Sequence, residues 1–251
     1  MQRAMDQAGS ALRITSPNPH VGCILASQTG DVIGQGHTQQ AGGPHAEVMA
    51  LRDAAAHGHS VVGATAYVTL EPCSHHGRTG PCCDALVEAG IQKVVATILD
   101  PNPLVSGQGF ERLRAAGVEV ELLEPTDPLA IASREINIGF FSRMIRKAPW
   151  VRMKVAASLD GTTALDNGAS QWITASEARA DGHAWRARSC AILTGIGTVL
   201  ADRPTLNVRL VDTPRQPHLV VVDSDLQTPL DAPVFIANRA VFIYSAARND
   251  D

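Results

Sequence analysis

Val68-Thr69-Leu70-Glu71-Pro72-Cys73-Ser74-His75-His76-Gly77-Arg78-Thr79-Gly80-Pro81-Cys82-Cys83 is the stretch on which the fold of this 251-residue chain turns. It leaves a β-rich run at 64–69, crosses a polar loop at 70–81, and enters a helical run at 82–89 that Gly90 stops. Upstream, residues 46–57 are rich in Ala, Glu, Met and Leu and read as a helix opened by His45-Ala46-Glu47. Apolar runs at 21–26 and 31–36 flank Gln28-Thr29-Gly30 as a β-hairpin. Before them, residues 1–14 have helical spacing and end at the rigid Ser16-Pro17-Asn18-Pro19 turn. Downstream, 93–99 reads as a strand, 110–116 as a helix stopped by Gly117, 118–122 as a strand and 129–146 as a closing helix. Strands alternating with helices predict an α/β layer whose sheet is largely parallel beyond the first hairpin.

Arg146-Lys147-Ala148-Pro149 is basic and carries a proline that ends helices, so it divides the chain into 1–146 and 147–251. The second part reads as strands at 150–157, 190–196, 218–223 and 240–244, with a helix at 176–189. There is no internal repeat and no low-complexity tract.

Composition narrows the function. Apolar residues make up 45 % and charged residues 18 %, enough for a buried core in each part. The net charge of −4 comes from interspersed acids and bases, which gives no electrostatic footprint for nucleic acid or a membrane surface. A few local arginines still suffice for a small anionic substrate. No apolar run approaches the roughly 18 residues needed to span a bilayer. Residues 1–13, with Arg3, Asp6 and Arg13, lack the apolar core of a signal peptide, so a cytoplasmic location is expected. Three of the five cysteines fall within 73–83, a cluster that in a cytosolic enzyme favours metal or catalysis over disulfides. Cys83 reads as a buried bystander, and Cys23 and Cys190 as core residues of apolar strands.

His45, Cys73 and Cys82 are therefore the predicted ligands of one Zn2+. Three protein ligands leave the fourth tetrahedral position for water, which zinc acidifies toward neutral pH. Placement at helix starts further favours thiolate. Glu47 stands two residues after His45, and in the first turn of a helix its carboxylate can reach over the metal. It is the predicted proton shuttle between the water and a departing amine. His-Ala-Glu followed by Pro-Cys fits the signature of zinc deaminases acting on nitrogen heterocycles. The second cysteine follows after eight residues instead of two, and this longer loop is expected to select the substrate.

The long loop, together with Thr15-Ser16-Pro17-Asn18-Pro19, His45-Ala46-Glu47 and Asp100-Pro101-Asn102-Pro103, resembles the bifunctional deaminase/reductase family of riboflavin biosynthesis. Ser158-Leu159-Asp160-Gly161 and Ser170-Gln171-Trp172-Ile173-Thr174 are similar to its reductase half. The resemblance implies a cytidine-deaminase-like three-layer α/β/α domain followed by a partial dihydrofolate-reductase-like α/β domain. It implies deamination of 2,5-diamino-6-(5-phosphoribosylamino)pyrimidin-4(3H)-one at ring carbon 2, then NADPH-dependent reduction of the ribosyl group. It also implies a homodimer or tetramer.

Carried over by position, Asn18, His37, His76, Arg78 and Asn102 line the deaminase pocket, where amides read ring edges and Arg78 pairs with phosphate. Ala156, Trp172, Thr198, Asp202 and Ser224 match cofactor contacts. Ser170, Arg186, Leu206 and Arg209 match contacts to the phosphoribosyl substrate, and Lys154 is a catalytic or orienting residue. Taken without the resemblance, Trp172 and Leu206 read as core packing, Arg186 as a solvated helix face, and Asn18 equally as a turn former. The family's reductase continues past residue 251 to a Gly-rich loop at the cofactor phosphates. Nothing after Asn238 offers that loop, so weak NADPH binding is expected of this chain. Two other readings stay open: a zinc deaminase of another base or nucleoside with a non-catalytic second domain, and a non-catalytic protein that keeps zinc for folding.

Overall fold

A computed structural model describes residues 1–75, 80–103 and 105–246. The chain divides into two compact units, Met1–Val151 and Arg152–Asp251.

The first unit runs α1 (Gln2–Ser10), β1 (Gly22–Ala26), β2 (Val32–His37), α2 (Ala46–Ala56), β3 (Thr65–Val68), α3 (Cys82–Glu88), β4 (Lys93–Ala96), α4 (Gln108–Ala115) and β5 (Glu119–Leu122). Its five strands form one sheet in the order β2-β1-β3-β4-β5. β1 pairs antiparallel with β2 and β3, while the β3–β4 and β4–β5 pairs are parallel. β1 (GCILA) is buried at every position, as a strand covered on both faces requires. The core runs from Cys23 and Leu25 through Val68 and Val94 to Leu86, Phe110 and Leu113 on the covering helices.

Gly34 and Gly36 on β2 let α2 lie almost against the sheet backbone. A Cβ on Gly36 would stand 2.5 Å from the Ala50 nitrogen and 2.7 Å from the Ala46 carbonyl oxygen. Gly36→Ala is accordingly expected to destabilise the first unit by about 1–3 kcal/mol, read as a lowered urea midpoint. An unchanged midpoint would mean that α2 can shift freely, and with it the start of the helix that carries His45 and Glu47.

The single closing helix expected over 129–146 is broken. α5 (Pro128–Ile136) is capped by Asp127, whose Oδ1 accepts the Leu129 N–H at 2.7 Å. It stops at Asn137, before α6 (Ile138–Phe141) and a π-helical turn over Ser142–Arg146. The cause is a partner 117 positions away. The buried Asn137 amide oxygen accepts the His20 N–H at 2.7 Å, and its Nδ2 donates to the His20 carbonyl at 3.1 Å. Periodicity within one segment carries no information about such a bond.

The second unit contains α7 (Ser176–Arg188), β6 (Ala191–Gly195), α8 (Ile196–Asp202), β7 (His218–Val222), a 3-10 turn at Pro233–Phe235, and β8 (Val241–Tyr244). The strands form a parallel sheet in the order β6-β7-β8 over a core of Val199, Leu219, Val221, Ala232 and Val234. The sequence reading does not anticipate α8, because Gly195 and Gly197 depress helix propensity. Val199, 1 % exposed, ties that helix into the core.

The strand expected at 150–157 is absent. Val151, Met153 and Val155 are exposed, and among the described residues no strand pairs with them. Alternating apolar residues do not make a strand without a hydrogen-bonding neighbour. Cys190 is likewise corrected: it precedes β6 and is exposed, because β6 begins one residue later and alternates rather than burying both faces. Cys23 and Cys83 are buried as expected. Among the described residues, no helix is long and apolar enough to cross a membrane.

Candidate active site

Three separate elements bring the site together. His45 is the extended N-cap residue of α2, and Cys82 is the first residue of α3. Cys73 lies in the loop beyond β3, five residues past the strand end at Val68 instead of at the strand end itself. Their ligand atoms all lie within 4.8 Å of one another. The His45 Nδ1 is 3.6 Å from the Cys73 sulfur and 3.4 Å from the Cys82 sulfur. The Cys82 backbone N–H donates to the Cys73 sulfur at 3.3 Å, so the start of α3 stabilises negative charge there.

The donor set fits zinc. Bonds of about 2.3 Å to sulfur and about 2.0 Å to nitrogen, at a tetrahedral angle, separate S and N by about 3.5 Å. The observed separations bracket that value. The charge state fits as well. A hydrogen bond from the Cys82 thiol holds the Cys73 thiol well below the usual thiol range, assisted by His45. The same bond to Cys73, together with burial, drives the Cys82 thiol upward. A half-buried and a buried sulfur this close share one proton when no cation is near, and a divalent cation supplies the charge that ionises both.

Glu47, 3 % exposed, occupies the first turn of α2. Burial, and then the Cys73 thiolate, push its carboxyl up to about 7. A group poised there can both take and return a proton at neutral pH.

A cavity of about 470 Å³ opens over these groups. Asn18, His45, Glu47, Cys73 and Asn102 line it, as do Glu71, His75, Asp100 and, from the helical segment after α5, Phe140, Arg143 and Met144. His37 is not in this lining among the described residues. It ends β2 half-buried, with Nδ1 3.3 Å from the Gln7 side-chain oxygen. His76 and Arg78 lie outside the described residues. Sequence reasoning missed Glu71 and Asp100 as pocket residues, although both stand in motifs it quoted. Phe140, Arg143 and Met144 reach the cavity from a distant segment and leave no local signal.

In the second unit, Thr198 in α8 follows the C-terminal end of β6, and Ser224 follows that of β7. Those strands are parallel neighbours, so both residues stand at the carboxyl edge where open α/β sheets bind ligands. Asp202 ends α8. Ala156 is half-buried, and Lys154 and Ser170 are exposed. Trp172 is 67 % exposed and not a core residue, with the Arg179 guanidinium 4.5 Å from its ring centre. Arg186 is half-buried rather than solvated and donates to the Asn207 carbonyl at 3.1 Å. Arg209 donates to the Asn207 side-chain oxygen at 3.2 Å. Leu206 packs against the second core with φ at +48°. Arg239, which the sequence reading passed over, donates to the Leu206 and Thr205 carbonyls at 2.7 and 2.6 Å.

Fold and site together define a zinc-binding deaminase domain joined to a second α/β domain. Residues 1–98 match the cytidine and deoxycytidylate deaminase zinc-binding region, and residues 149–251 match the RibD C-terminal domain. The riboflavin biosynthesis protein RibD of Escherichia coli (strain K12) is 46 % identical over 244 residues, 97 % of this chain and 64 % of its own length. That of Aquifex aeolicus is 42 % identical over all of this chain and 68 % of its own. Acinetobacter baumannii RibD (form 1) superposes with a TM-score of 0.88 at 44 % identity, covering 98 % of this chain and 68 % of that one. A diaminohydroxyphosphoribosylaminopyrimidine deaminase/5-amino-6-(5-phosphoribosylamino)uracil reductase from Thermotoga maritima gives a TM-score of 0.90 at 38 % identity, covering 99 % and 69 %. The chain belongs to the RibD family of riboflavin biosynthesis proteins, and it spans about two thirds of the length of these relatives.

Proposed function

We propose that this chain deaminates 2,5-diamino-6-(5-phosphoribosylamino)pyrimidin-4(3H)-one hydrolytically, releasing ammonia from ring carbon 2. The observation that carries this reading is the clustering of the His45, Cys73 and Cys82 ligand atoms within 4.8 Å of one another, with the buried Glu47 carboxyl two residues from His45 in the first turn of α2. Those three residues would hold zinc, whose Lewis acidity brings the attacking water close to neutral pKa. Glu47 takes a proton from the attacking water and returns it to the leaving amine, and the remaining hydroxyl proton moves to the adjacent ring nitrogen, so that the C–N bond breaks to NH3 as the carbonyl forms. Asn18 and Asn102, on opposite sequence flanks of the site, orient the ring edge through amide hydrogen bonds. His37, His76 and Arg78 complete the substrate contacts, with Arg78 on the phosphate.

The functional division follows residues 1–146 and 147–251. In the second part, Ala156, Trp172, Thr198, Asp202 and Ser224 contact NADPH. Lys154, Ser170, Arg186, Leu206 and Arg209 would contact the ribosyl group, to which bound NADPH would supply a hydride. The protein works as a homo-oligomer in the cytoplasm on a small-molecule substrate.

Ammonia release from the phosphoribosylaminopyrimidine, set against cytidine, guanine and a tRNA substrate, tests the reading. Turnover of the first alone is expected. Preferential turnover of one of the others would make the chain a deaminase of another base. Retained zinc with no amine released from any of them would favour the non-catalytic reading.

A further inference from the structure

Glu71 has a buried carboxylate that the chemistry above does not use. It is 4 % exposed, lines the cavity and stands two residues before Cys73. Among the described residues, its side-chain partners are backbone N–H groups of one segment. Oε2 accepts from Asp100 at 3.0 Å and from Gly107 at 2.9 Å, and Oε1 accepts from Gly109 at 2.9 Å.

The segment needs such an anchor. No helix or strand is described between β4 and α4. Gly107, the left-handed N-cap residue of α4 with φ +81°, supplies no side-chain cap, so the first N–H groups of that helix require outside acceptors. Between the two ends pinned by Glu71 lies Asn102. Its N–H donates to Asp100 Oδ1 at 2.8 Å, and its carbonyl accepts from Ser106 at 2.9 Å. Asp100 and Asn102 both line the cavity. On the other side, α4 presses on the residue next to Cys73: a Cβ on Gly109 would stand 2.1 Å from the Pro72 carbonyl oxygen. One carboxylate thus joins the loop that carries Cys73 to the wall that carries Asn102.

We propose that Glu71 is a positioning residue: by holding the Asp100, Gly107 and Gly109 N–H groups it places Asn102 and Asp100 in the pocket wall at a set distance from the metal ligands. The chemistry demands an acceptor-only group. Three donors converge on two oxygens, and a glutamine would turn its own NH2 toward at least one of them. An exposed polar residue or an ordinary packing residue carries no such requirement.

The test uses the full chain as Glu71→Gln and Glu71→Asp. The inference rests on the proposed deaminase reading only for its kinetic arm. Glu71→Gln is expected to keep the zinc content of the parent and to raise KM for the phosphoribosylaminopyrimidine about tenfold or more, with kcat changed by less than about threefold. Its Gly107 and Gly109 amides should exchange hydrogen about tenfold faster, while those of α2 stay as they were. Glu71→Asp is shorter but keeps two acceptor oxygens, so it should lie closer to the parent than the isosteric Gln does in both readouts. An unchanged KM in Glu71→Gln, a milder effect of Gln than of Asp, or loss of zinc with kcat falling in step would overturn the proposal. If the parent chain releases no ammonia from this substrate, the proposed substrate is wrong, and the exchange rates of the two variants still decide the role of Glu71.

Discussion

Glu47→Ala is expected to lower ammonia release by about 10³-fold, within the range set by loss of a positioned general acid–base, while zinc stays bound at the parental stoichiometry. The expectation follows from placement. Glu47 sits in the first turn of α2, two residues from His45, with its carboxyl buried and held near neutrality by desolvation and the Cys73 thiolate. It is not one of the three clustered ligands, so its removal leaves the donor set intact. Among the described residues lining the cavity, Asp100 is the other carboxyl raised by burial, but one of its oxygens is already engaged by the Asn102 N–H. Glu47→Gln, of the same shape and unable to carry the proton, should fall as far as Ala. Metal analysis beside a coupled ammonia assay separates the two effects. Activity within about tenfold of the parent in both variants would remove Glu47 from the proton path.

The second large effect is expected at Cys82. Its sulfur is fully buried, 3.4 Å from the His45 Nδ1, at the point where α3 begins. Cys82→Ser replaces a soft thiolate donor with a shorter, harder hydroxyl, and zinc affinity should fall by several orders of magnitude. The three ligands come from the start of α2, the loop after β3 and the start of α3, so bound metal cross-links all three. A ligand present about a thousandfold above its Kd stabilises the folded state by about 4 kcal/mol. For a unit of this size that corresponds to roughly 10 °C in Tm. Chelation of the parent should therefore lower its Tm by that order, and Cys82→Ser should melt near the chelated parent and ignore chelator. Full zinc occupancy in Cys82→Ser, or a parent whose melting does not respond to chelator, would contradict the assignment.

The residues of the metal cluster were legible without coordinates, because Cys and His at element boundaries are scarce and chemically distinct. His-Ala-Glu before an Ala-rich helix and Pro-Cys before the next helix place His45 and Cys82 at helix starts, with Cys73 in the loop between the β-rich run and that helix, and such ends and loops in an α/β layer meet at one edge of the sheet. The hairpin at β1–β2 and the helices α2 and α3 follow from local pattern in the same way. The reading failed where a residue's state depends on something remote. Asn137 breaks the closing helix for a bond to His20. Residues 150–157 have the alternation of a strand and, among the described residues, no neighbour to pair with.

By itself the amino-acid order determined the β1–β2 hairpin, the helices α2 and α3 and which side chains are chemically fit to hold zinc, since all of these depend on spacing over a few residues. Tertiary structure alone decided what those groups become. The carboxyl of Glu47 rises to about 7 only because folding buries it beside a thiolate, and Glu71 gains its three N–H partners only when the segment before α4 closes over it. Desolvation and long-range hydrogen bonds belong to packed surroundings, which a linear string of residues does not contain.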